Sequence, residues 1–550
     1  ILAHAFTRII PFGEIAWRVN LMSAFWASAT VGLFAYTLQR QGIGRAVACA
    51  TALCLACSRE FWEQSVIAEV YTLNAFFTIA CIHLLLEWTA SRSRKTLFIF
   101  TALYSISLSN HSTMYLLGPF FLAYIFISHP PILKEYRTLG ICVGLFALGL
   151  LVHLYLPIRS RANPAMDWGN PETLQGFWDV FTRKQYHTIM TNERSMDLFI
   201  AQVIAFLRYT FWEFTPWVLL LAPPGLLPMY RRNKHLFVLC MGTLTIVGVA
   251  SIVIPNSPVE HHNIWMNSTY WIPCFMMMSI AIAFSLERLF NALRLHIVFQ
   301  VPFLLMVAVS PLLIHFEHND QSNYYYARDY AQNQLDTMDE NAIFFGGGDY
   351  TIFPLTYLLI VEGQRPDVTI ANQYGYIHPH LYSDMPADLR STFPESPRLS
   401  DHSIIFDWIL ENTDRPVYTT SLRTASSRKP VQRGLLFEYA TIDPADHAND
   451  DIWSEYTWHE TTLDLAKTHN DWTAELINYE YNIKRAQFLL TQDDPETTEE
   501  AIVLLNNAMY SVHNDKRAIH NIGLIFARSN QNQFAIRAFQ KALREDRNYL

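Results

Sequence analysis

Long apolar stretches alternate with short polar connections over the first 320 residues or so of the chain. A bilayer core about 30 Å thick is crossed by roughly 20 helical residues, so these stretches predict transmembrane helices. Ten segments approach that length, of which the second and fourth are short: 19–38, 45–58, 65–88, 96–110, 112–128, 138–157, 198–222, 236–254, 265–287 and 295–315. Residues 1–318 are therefore predicted to form a polytopic α-helical membrane domain.

The basic residues of the short connections predict how this domain is oriented. Every second connection contains lysine or arginine: Arg40 and Arg45, Arg92 to Lys95, Lys134 and Arg137, Arg231 to Lys234, Arg288 and Arg294. Because lysine and arginine are enriched on the cytoplasmic side of membrane proteins, this set is predicted to be cytoplasmic. The opposite connections, and everything after His315, are then predicted to be extracytoplasmic.

Beyond residue 320 the pattern is that of a soluble protein. Apolar runs of strand length occur at 342–346, 367–372 and 416–420, and helical patterns lie between them, so residues 319–445 are predicted to form a soluble α/β domain. Formal charge changes at the same place, from +6 over residues 1–319 to −15 over residues 320–550. The triplet Gly346–Gly348 lacks the spacing of a nucleotide-binding loop, which favours a tight strand-to-helix turn.

Residues 446–550 are predicted to be helical and to form repeats like those of tetratricopeptide proteins. Alanines recur 34 positions apart, Ala501 with Ala535 and Ala508 with Ala542, a period typical of that repeat. Stacked repeats create a concave surface suited to peptides. A plain array of helical hairpins without a ligand is the alternative.

Both ends of the chain predict that it is part of a longer protein. It begins without Met and without a signal peptide pattern, and it ends within a helical pattern. The seven cysteines all lie in apolar segments of the first part, so they are interpreted as small buried residues and no disulfide framework is predicted.

Charged residues interrupt the apolar pattern between Ser58 and Asn74. On the predicted topology Arg59, Glu60 and Glu63 lie at the outer end of the second span. Glu69 is predicted to lie about one turn inside the third span, roughly 6 Å below its start. Ionisable groups in membrane segments usually have functional roles, and the alternative is interfacial anchoring by Trp62 and Tyr71 with an Arg59–Glu63 pair.

Further polar groups are predicted on the same outer side: Asn110 and His111, Arg159 and Arg161, and the trio Glu260, His261 and His262. Arginines bind phosphate oxygens in a bidentate manner, and a carboxylate can take a proton from a hydroxyl. Such a set suits a reaction on a lipid-borne phosphate. A divalent metal at the Glu260 trio is a less favoured alternative, because no H-x-x-x-H spacing is present.

Several long motifs resemble a bacterial membrane family that is similar to protein O-mannosyltransferases and belongs with the GT-C glycosyltransferases. The motifs are PFGEIAWRVNLMSAF (11–25), FWEQSVIAEVYTLN (61–74), SLSNHST (107–113), LPIRSRANPAMDWGNP (156–171), GGDYTIFPLTY (347–357) and RPDV (365–368). The resemblance extends from residue 1 to about residue 440, and helical repeats also occur at the C-termini of such proteins.

The resemblance implies a GT-C fold in the cytoplasmic membrane of a bacterium and a polyprenyl-phosphate sugar as donor. It also implies transfer to a Ser or Thr of an exported protein on the outer face, with the acceptor recruited through the repeats. The principal catalytic acid of such enzymes would lie before Ile1. Site residues carried over by the resemblance are Arg159, Arg161 and Arg59 for donor phosphate, Glu69, His111 and Glu60 as supporting groups, and Tyr71, Asn74 and Asn110 for the pocket. His261, from the polar trio on the predicted outer side, is added to the pocket.

Two other functions are consistent with the pattern. A membrane-anchored scaffold could bind exported proteins through its repeats without catalysis. A transporter is less favoured, because the charges gather at one membrane face and not near the midplane, where transporter sites usually lie. No nucleic-acid partner is predicted.

Overall fold

A computed structural model shows a largely helical chain that divides into two compact units. The first unit comprises Ile1–Leu156 and Tyr186–Gln321, and the second comprises Pro157–Gln185 and Ser322–Leu550. The structure describes residues 1–184, 193–294, 296–372, 382, 384–390, 399–423, 427–439, 452–459, 472–492, 494–512 and 515–545.

Seventeen helices lie among the described residues up to position 321. They are α1 (Leu2–Ile9), α2 (Ile15–Arg40), α3 (Arg45–Ala56), α4 (Arg59–Val66), α5 (Tyr71–Ser91), α6 (Arg94–Ser107), α7 (Thr113–Ser128), α8 (Tyr136–Leu150), α9 (Tyr155–Ser160), α10 (Leu174–Phe181), α11 (Met196–Glu213), α12 (Pro216–Leu219), α13 (Ala222–Arg232), α14 (Lys234–Val253), α15 (His261–Ser268), α16 (Ile272–Leu293) and α17 (Ile297–Asn319).

Six helical segments in the described part of the chain are long and apolar enough to cross a membrane. They are Ile15–Arg40, Tyr71–Ser91, Tyr136–Ser160, Lys234–Val253, Asn263–Leu293 and Ile297–Asn319. The other four predicted spans coincide with shorter helices, α3, α6, α7 and α11. Each predicted span therefore corresponds to a helix, but length and composition support a full crossing for six of them.

The predicted start of the third span is wrong. The chain forms the short helix α4, becomes extended at Ile67 (φ −116°, ψ 160°) and starts α5 only at Tyr71. Glu69 therefore precedes the long helix and does not lie one turn inside it. The apolar run from Ser65 concealed this break, because Val66 and Ile67 are as compatible with a helix as with an extended connection.

The predicted seventh span, 198–222, is also interrupted. Helix α11 ends at Glu213, and Thr215 has a positive φ of 77° directly before Pro216. Proline cannot continue the hydrogen-bond ladder of a helix, and it restricts the residue before it. The segment therefore contains α11, the single turn α12 and the start of α13.

The first unit has one large apolar core, in which α13 and α16 approach each other closely. A Cβ atom at Gly225 of α13 would overlap the carbonyl oxygen of Ala281 in α16. Close helix contacts in membrane proteins depend on such small residues. At the helix ends on the predicted cytoplasmic side, Arg40 pairs with Glu87 at 2.9 Å.

The second unit contains a five-stranded sheet and further helices. Its elements after residue 321 are α18 (Tyr326–Thr337), β1 (Ile343–Gly346), α19 (Asp349–Thr356), β2 (Thr369–Asn372), α20 (Ala387–Arg390), α21 (Leu399–Glu411), β3 (Val417–Thr419), β4 (Val431–Arg433), β5 (Leu436–Tyr439), α22 (Trp472–Leu489), α23 (Pro495–Ser511), α24 (Lys516–Arg528) and α25 (Asn532–Glu545). The strand order is β2-β1-β3-β5-β4.

The sheet is mixed and is covered on both faces. Strand β1 runs parallel to β2 and β3, whereas β5 runs antiparallel to β3 and β4. Side chains alternate between the faces of a strand, so Phe344 packs in the core that contains Leu335 of α18, and Phe345 packs in the core that contains Phe406 of α21. The turn from β1 into α19 uses Gly347 and Gly348, and Gly348 has a φ of +92° that L-residues rarely adopt.

Helices α22 and α23 pack against each other as one pair, and α24 and α25 pack as another. The alanines that recur 34 positions apart, Ala501 with Ala535 and Ala508 with Ala542, are all buried between helices. Small side chains at these positions allow the paired helices to come close. Their identification as tetratricopeptide-like repeats stays a prediction.

The contact between α13 and α16 can be tested by substituting Gly225. We expect Gly225→Ala to lower the free energy of unfolding by about 1–3 kcal/mol, because the new methyl group forces two helices apart. Thermal unfolding of the detergent-solubilised protein measures the effect. Gly32→Ala in α2, where nothing lies within 4 Å of the added Cβ atom, is the matched control. Equal melting temperatures for the two variants would contradict the packing.

Candidate active site

Helix α4 is held at its N-terminus by a carboxylate from a distant helix. Glu213, the last residue of α11, accepts the backbone N–H of Glu60 at 3.1 Å through one carboxylate oxygen and at 3.3 Å through the other. The first N–H groups of a helix have no partner within it, and negative charge is favourable there. Glu213 therefore caps α4 and fixes it against α11.

Glu60 is fully buried beside this cap. The Tyr209 hydroxyl donates to Glu60 Oε2 at 2.6 Å, and the Gln64 amide donates to Glu60 Oε1 at 3.2 Å. Burial, together with the nearby charge of Glu63, raises the pKa of Glu60 to about 8. Burial therefore favours the neutral form of the Glu60 carboxyl group.

Glu63 lies one turn further along α4 and is almost completely buried. Trp265 Nε1–H donates to Glu63 Oε1 at 3.0 Å, and His318 Nε2 lies 3.2 Å from Glu63 Oε2. Burial alone would raise the pKa of Glu63, but the hydrogen bonds and charge of His318 lower it below the usual range. Two buried carboxyl groups on one helix thus have pKa values shifted in opposite directions.

Arg59 packs over the aromatic ring of Tyr209, with its guanidinium carbon 5.2 Å from the ring centroid. Its Nε lies 3.4 Å from His318 Nε2. One ring nitrogen cannot accept from Arg59 and donate to Glu63 at the same time, and the shorter bond to Glu63 is favoured. Asn319 also donates to the backbone oxygen of Arg59 at 3.2 Å, so the end of α17 is attached to α4.

We call Arg59, Glu60, Glu63 and Glu213 the buried charge cluster. The sequence predicted that Arg59, Glu60 and Glu63 lie at the outer end of the second span, with an Arg59–Glu63 pair as an alternative. In the structure both glutamates are buried inside protein, and Glu63 bonds to Trp265 and His318. The cluster orders the connection between α3 and α5.

Three aromatic side chains meet near the start of α5, and we call them the aromatic wall: Tyr71, His111 and Tyr270. The ring centroid of His111 lies 5.3 Å from that of Tyr71 and 5.5 Å from that of Tyr270. The centroids of Tyr71 and Tyr270 are 6.0 Å apart. His111 is buried where the three rings meet.

A chain of hydrogen bonds orients His111. The backbone N–H of Thr113 donates to His111 Nδ1 at 3.3 Å, so a neutral ring carries its proton on Nε2. The Thr113 hydroxyl lies 3.0 Å from the same Nδ1 and accepts the Asn74 amide at 3.0 Å. Asn74 and His111 are therefore linked through Thr113.

The backbone around Glu69 is fixed although its side chain is exposed. The Ser23 hydroxyl of α2 lies 3.3 Å from the Glu69 N–H and 3.2 Å from the Glu69 carbonyl oxygen. Asn110 donates from its amide to the carbonyl oxygen of Val70 at 3.2 Å. Glu69 and Asn110 therefore lie close to the aromatic wall at the same end of the helices.

The other predicted site residues lie elsewhere in the chain. Arg159 and Arg161 are exposed and belong to the segment Pro157–Gln185 of the second unit. Nearby, the Ser160 hydroxyl donates to Asp167 at 2.7 Å, which shapes the turn after them. His261 is the first residue of α15, and its side chain lies outside the described residues.

Several residues of the site were not singled out from the sequence: Tyr209, Glu213, Trp265, Tyr270 and His318. A signal existed for Glu213, a single carboxylate in the apolar run 198–222, and for His318 at the end of another apolar run. Among residues whose positions the structure describes, no group of three or more His, Cys, Asp or Glu side chains could hold a metal ion.

The arrangement of helices defines the class of this protein. Its fold matches the crystal structure of ArnT from Cupriavidus metallidurans bound to undecaprenyl phosphate, with a TM-score of 0.50 and 14% sequence identity over 80% of this chain and 87% of ArnT. Together with its apolar helices, this likeness identifies an integral membrane protein with a polytopic GT-C fold, as predicted.

Sequence comparison shows which proteins this chain is similar to. Residues 1–133 match the family described as protein O-mannosyl-transferase TMEM260 N-terminal domain, and residues 327–385 match TMEM260-associated domain 2. The mouse protein O-mannosyl-transferase TMEM260 is 26% identical over 70% of this chain and 58% of its own length. The Dictyostelium discoideum protein O-mannosyl-transferase tmem260 is 23% identical over 76% of this chain and 57% of its own length.

The chain thus spans less than two thirds of the curated relatives it matches. The predicted similarity to protein O-mannosyltransferases is confirmed, whereas a bacterial source stays a prediction.

Removing Glu63 tests the connection between α4 and α17. We expect Glu63→Ala to destabilise the protein by about 1–3 kcal/mol or more, because Trp265 and His318 lose a buried charged acceptor. Glu63→Gln should cost less, since an amide oxygen can still accept from Trp265. Melting temperatures in detergent measure the series. The exposed Glu14→Ala is the control, and an equal loss there would contradict the buried role of Glu63.

The pH dependence of stability tests Glu60. Its pKa in the folded protein, about 8, exceeds the unfolded value of about 4.3, so the folded state binds more protons between these values. Stability should therefore fall as pH rises from about 4.5 to 8. Glu60→Gln mimics the neutral acid, and we expect a smaller fall in melting temperature between pH 6 and pH 9 than in the wild type. Parallel pH profiles for both proteins would show that Glu60 is not a neutral acid.

Proposed function

We propose that this protein is a membrane glycosyltransferase that moves a sugar from a polyprenyl-phosphate donor to a protein hydroxyl. The sugar is mannose by analogy with its named relatives, and the acceptor is a Ser or Thr of an exported protein on the extracytoplasmic face of a bacterial cytoplasmic membrane. One observation supports this most: a fixed loop brings Glu69, Asn74, Asn110 and the aromatic wall to one end of the helices in a chain similar to O-mannosyl-transferases.

In such a transfer, the acceptor oxygen attacks the anomeric carbon while the bond from that carbon to the phosphate oxygen breaks. The hydroxyl proton goes to a carboxylate base, and the lipid phosphate leaves as an anion. We assign to Glu69, His111, Arg159 and Arg161 the binding and orientation of the reactants.

Each supporting role is based on an observed environment. The exposed carboxylate of Glu69 is accessible to a sugar or acceptor hydroxyl, and the contacts with Thr113 hold the ring of His111 in a fixed orientation. The exposed guanidinium groups of Arg159 and Arg161 suit a lipid phosphate, because arginine binds phosphate in a bidentate manner. Arg59 is half-buried and packs over Tyr209, which favours a structural role over donor binding.

The paired helices α22–α25 support recruitment of the acceptor protein. Their closely packed hairpins resemble the building units of peptide-binding repeat arrays. A scaffold without catalysis would use the same surface. The two functions differ in whether they depend on Glu69 and Arg159.

A transfer assay tests the proposal. The protein is reconstituted in liposomes with a labelled polyprenyl-phosphate mannose and an exported acceptor protein. We expect Glu69→Gln and the double variant Arg159→Ala with Arg161→Ala each to lower transfer at least about tenfold, since a hydrogen bond to a charged group contributes about 1.5–3 kcal/mol.

Arg137→Ala, an exposed arginine on the predicted cytoplasmic side, serves as the matched control and should transfer normally. Absence of transfer by the intact protein, or full activity of both site variants, would contradict the proposal. Loss of function only on changes to the α22–α25 surface would favour the scaffold.

A further inference from the structure

Helix α10 (Leu174–Phe181) has a complete apolar stripe. Leu174, Phe177, Trp178 and Phe181 stand at positions i, i+3, i+4 and i+7, which lie on one face of a helix. Gln175 and Asp179 lie on another face. The helix is well defined, because the Thr173 side chain caps it by accepting the Gly176 N–H at 3.0 Å.

Two residues of the stripe, Leu174 and Trp178, are strongly exposed, whereas Phe177 and Phe181 are half-buried. Leu174 is 85% exposed and Trp178 is 57% exposed, values comparable with 79% for Ile127 on the apolar helix α7. The ring of Phe181 lies 5.7 Å from that of Trp178 and 6.0 Å from that of Phe177, so the aromatic side chains form one continuous ridge. Large exposed aromatic surfaces usually contact another apolar phase.

The chain on either side of α10 leads into apolar helices. The candidate span Tyr136–Ser160 precedes it, and the apolar helix α11 (Met196–Glu213) comes after it. The intervening segments, 161–173 and 182–195, can extend at most about 50 Å each at about 3.5 Å per residue. Because these connections are short, α10 cannot lie far from a membrane that the two neighbouring apolar helices enter. The membrane surface is therefore the apolar environment that its stripe can reach.

Basic residues follow the end of α10, as is common in segments that bind a membrane surface. Arg183 and Lys184 come directly after the aromatic ridge and are exposed, and Lys184 pairs with Asp179 at 3.4 Å. Tryptophan next to lysine or arginine is typical of segments that lie where acyl chains meet headgroups.

We propose that α10 is an interfacial helix that lies in the outer bilayer surface. Its apolar stripe enters the boundary between headgroups and acyl chains, and its polar face stays in water. This inference does not depend on the proposed reaction, because lipid contact would also occur in a catalytically inactive protein. In this position α10 would hold the segment that contains Arg159 and Arg161 close to the lipid phosphates.

Photo-crosslinking tests this placement. The full chain, with p-benzoylphenylalanine in place of Trp178, is reconstituted in liposomes of phosphatidylcholine and phosphatidylglycerol and irradiated, and lipid adducts are measured by mass spectrometry. The matched control carries the same probe at Gln175 on the polar face. We expect at least about five times more lipid adduct at position 178, since only the apolar face enters the bilayer.

Equal lipid adducts at positions 178 and 175, or crosslinks from position 178 mainly to protein, would overturn the proposal. If the variant at Trp178 lacks the wild-type melting transition, the probe at Phe181 gives the same comparison on the same stripe. Failure of the transfer assay would not affect this result, so the two proposals can be rejected separately.

Discussion

A carboxylate that is buried in an apolar helical bundle needs a partner, and this requirement fixes the end of the first unit at which α4 lies. An ionised carboxylate buried without partners costs several kcal/mol or more. Glu213 avoids this cost by accepting the backbone N–H of α4, Glu63 by pairing with His318 and Trp265, and Glu60 by taking up a proton. All three carboxyl groups lie on α4 or contact it, and their interactions hold this helix in place.

The position of α4 then determines the course of the connection to α5. Because α4 is held by α11 and α17, the residues between Ile67 and Tyr71 have a defined path, and Ser23 and Asn110 complete it with backbone hydrogen bonds. Glu69 is thereby presented on a rigid backbone while its carboxylate stays exposed. A supporting group for group transfer needs this combination of fixed position and access.

The sequence predicted the helices well and the contacts between them poorly. The span predicted at 19–38 lies within α2, because apolar length alone determines such a helix. Glu69 was misplaced because hydrophobicity does not reveal where a helix stops. Glu213 caps α4 from 153 positions along the chain, and no local pattern can show such a partner. The aromatic wall needed Tyr270, which comes from a third region of the sequence.

The central claim is that Glu213 holds α4 in place, and hydrogen–deuterium exchange of the intact protein in nanodiscs tests it most directly. The backbone amides of α4 should exchange slowly in the wild type and much faster in Glu213→Ala, with little change in α14, which lies outside the buried charge cluster. Fast exchange of α4 in the wild type, or unchanged exchange in the variant, would contradict the account.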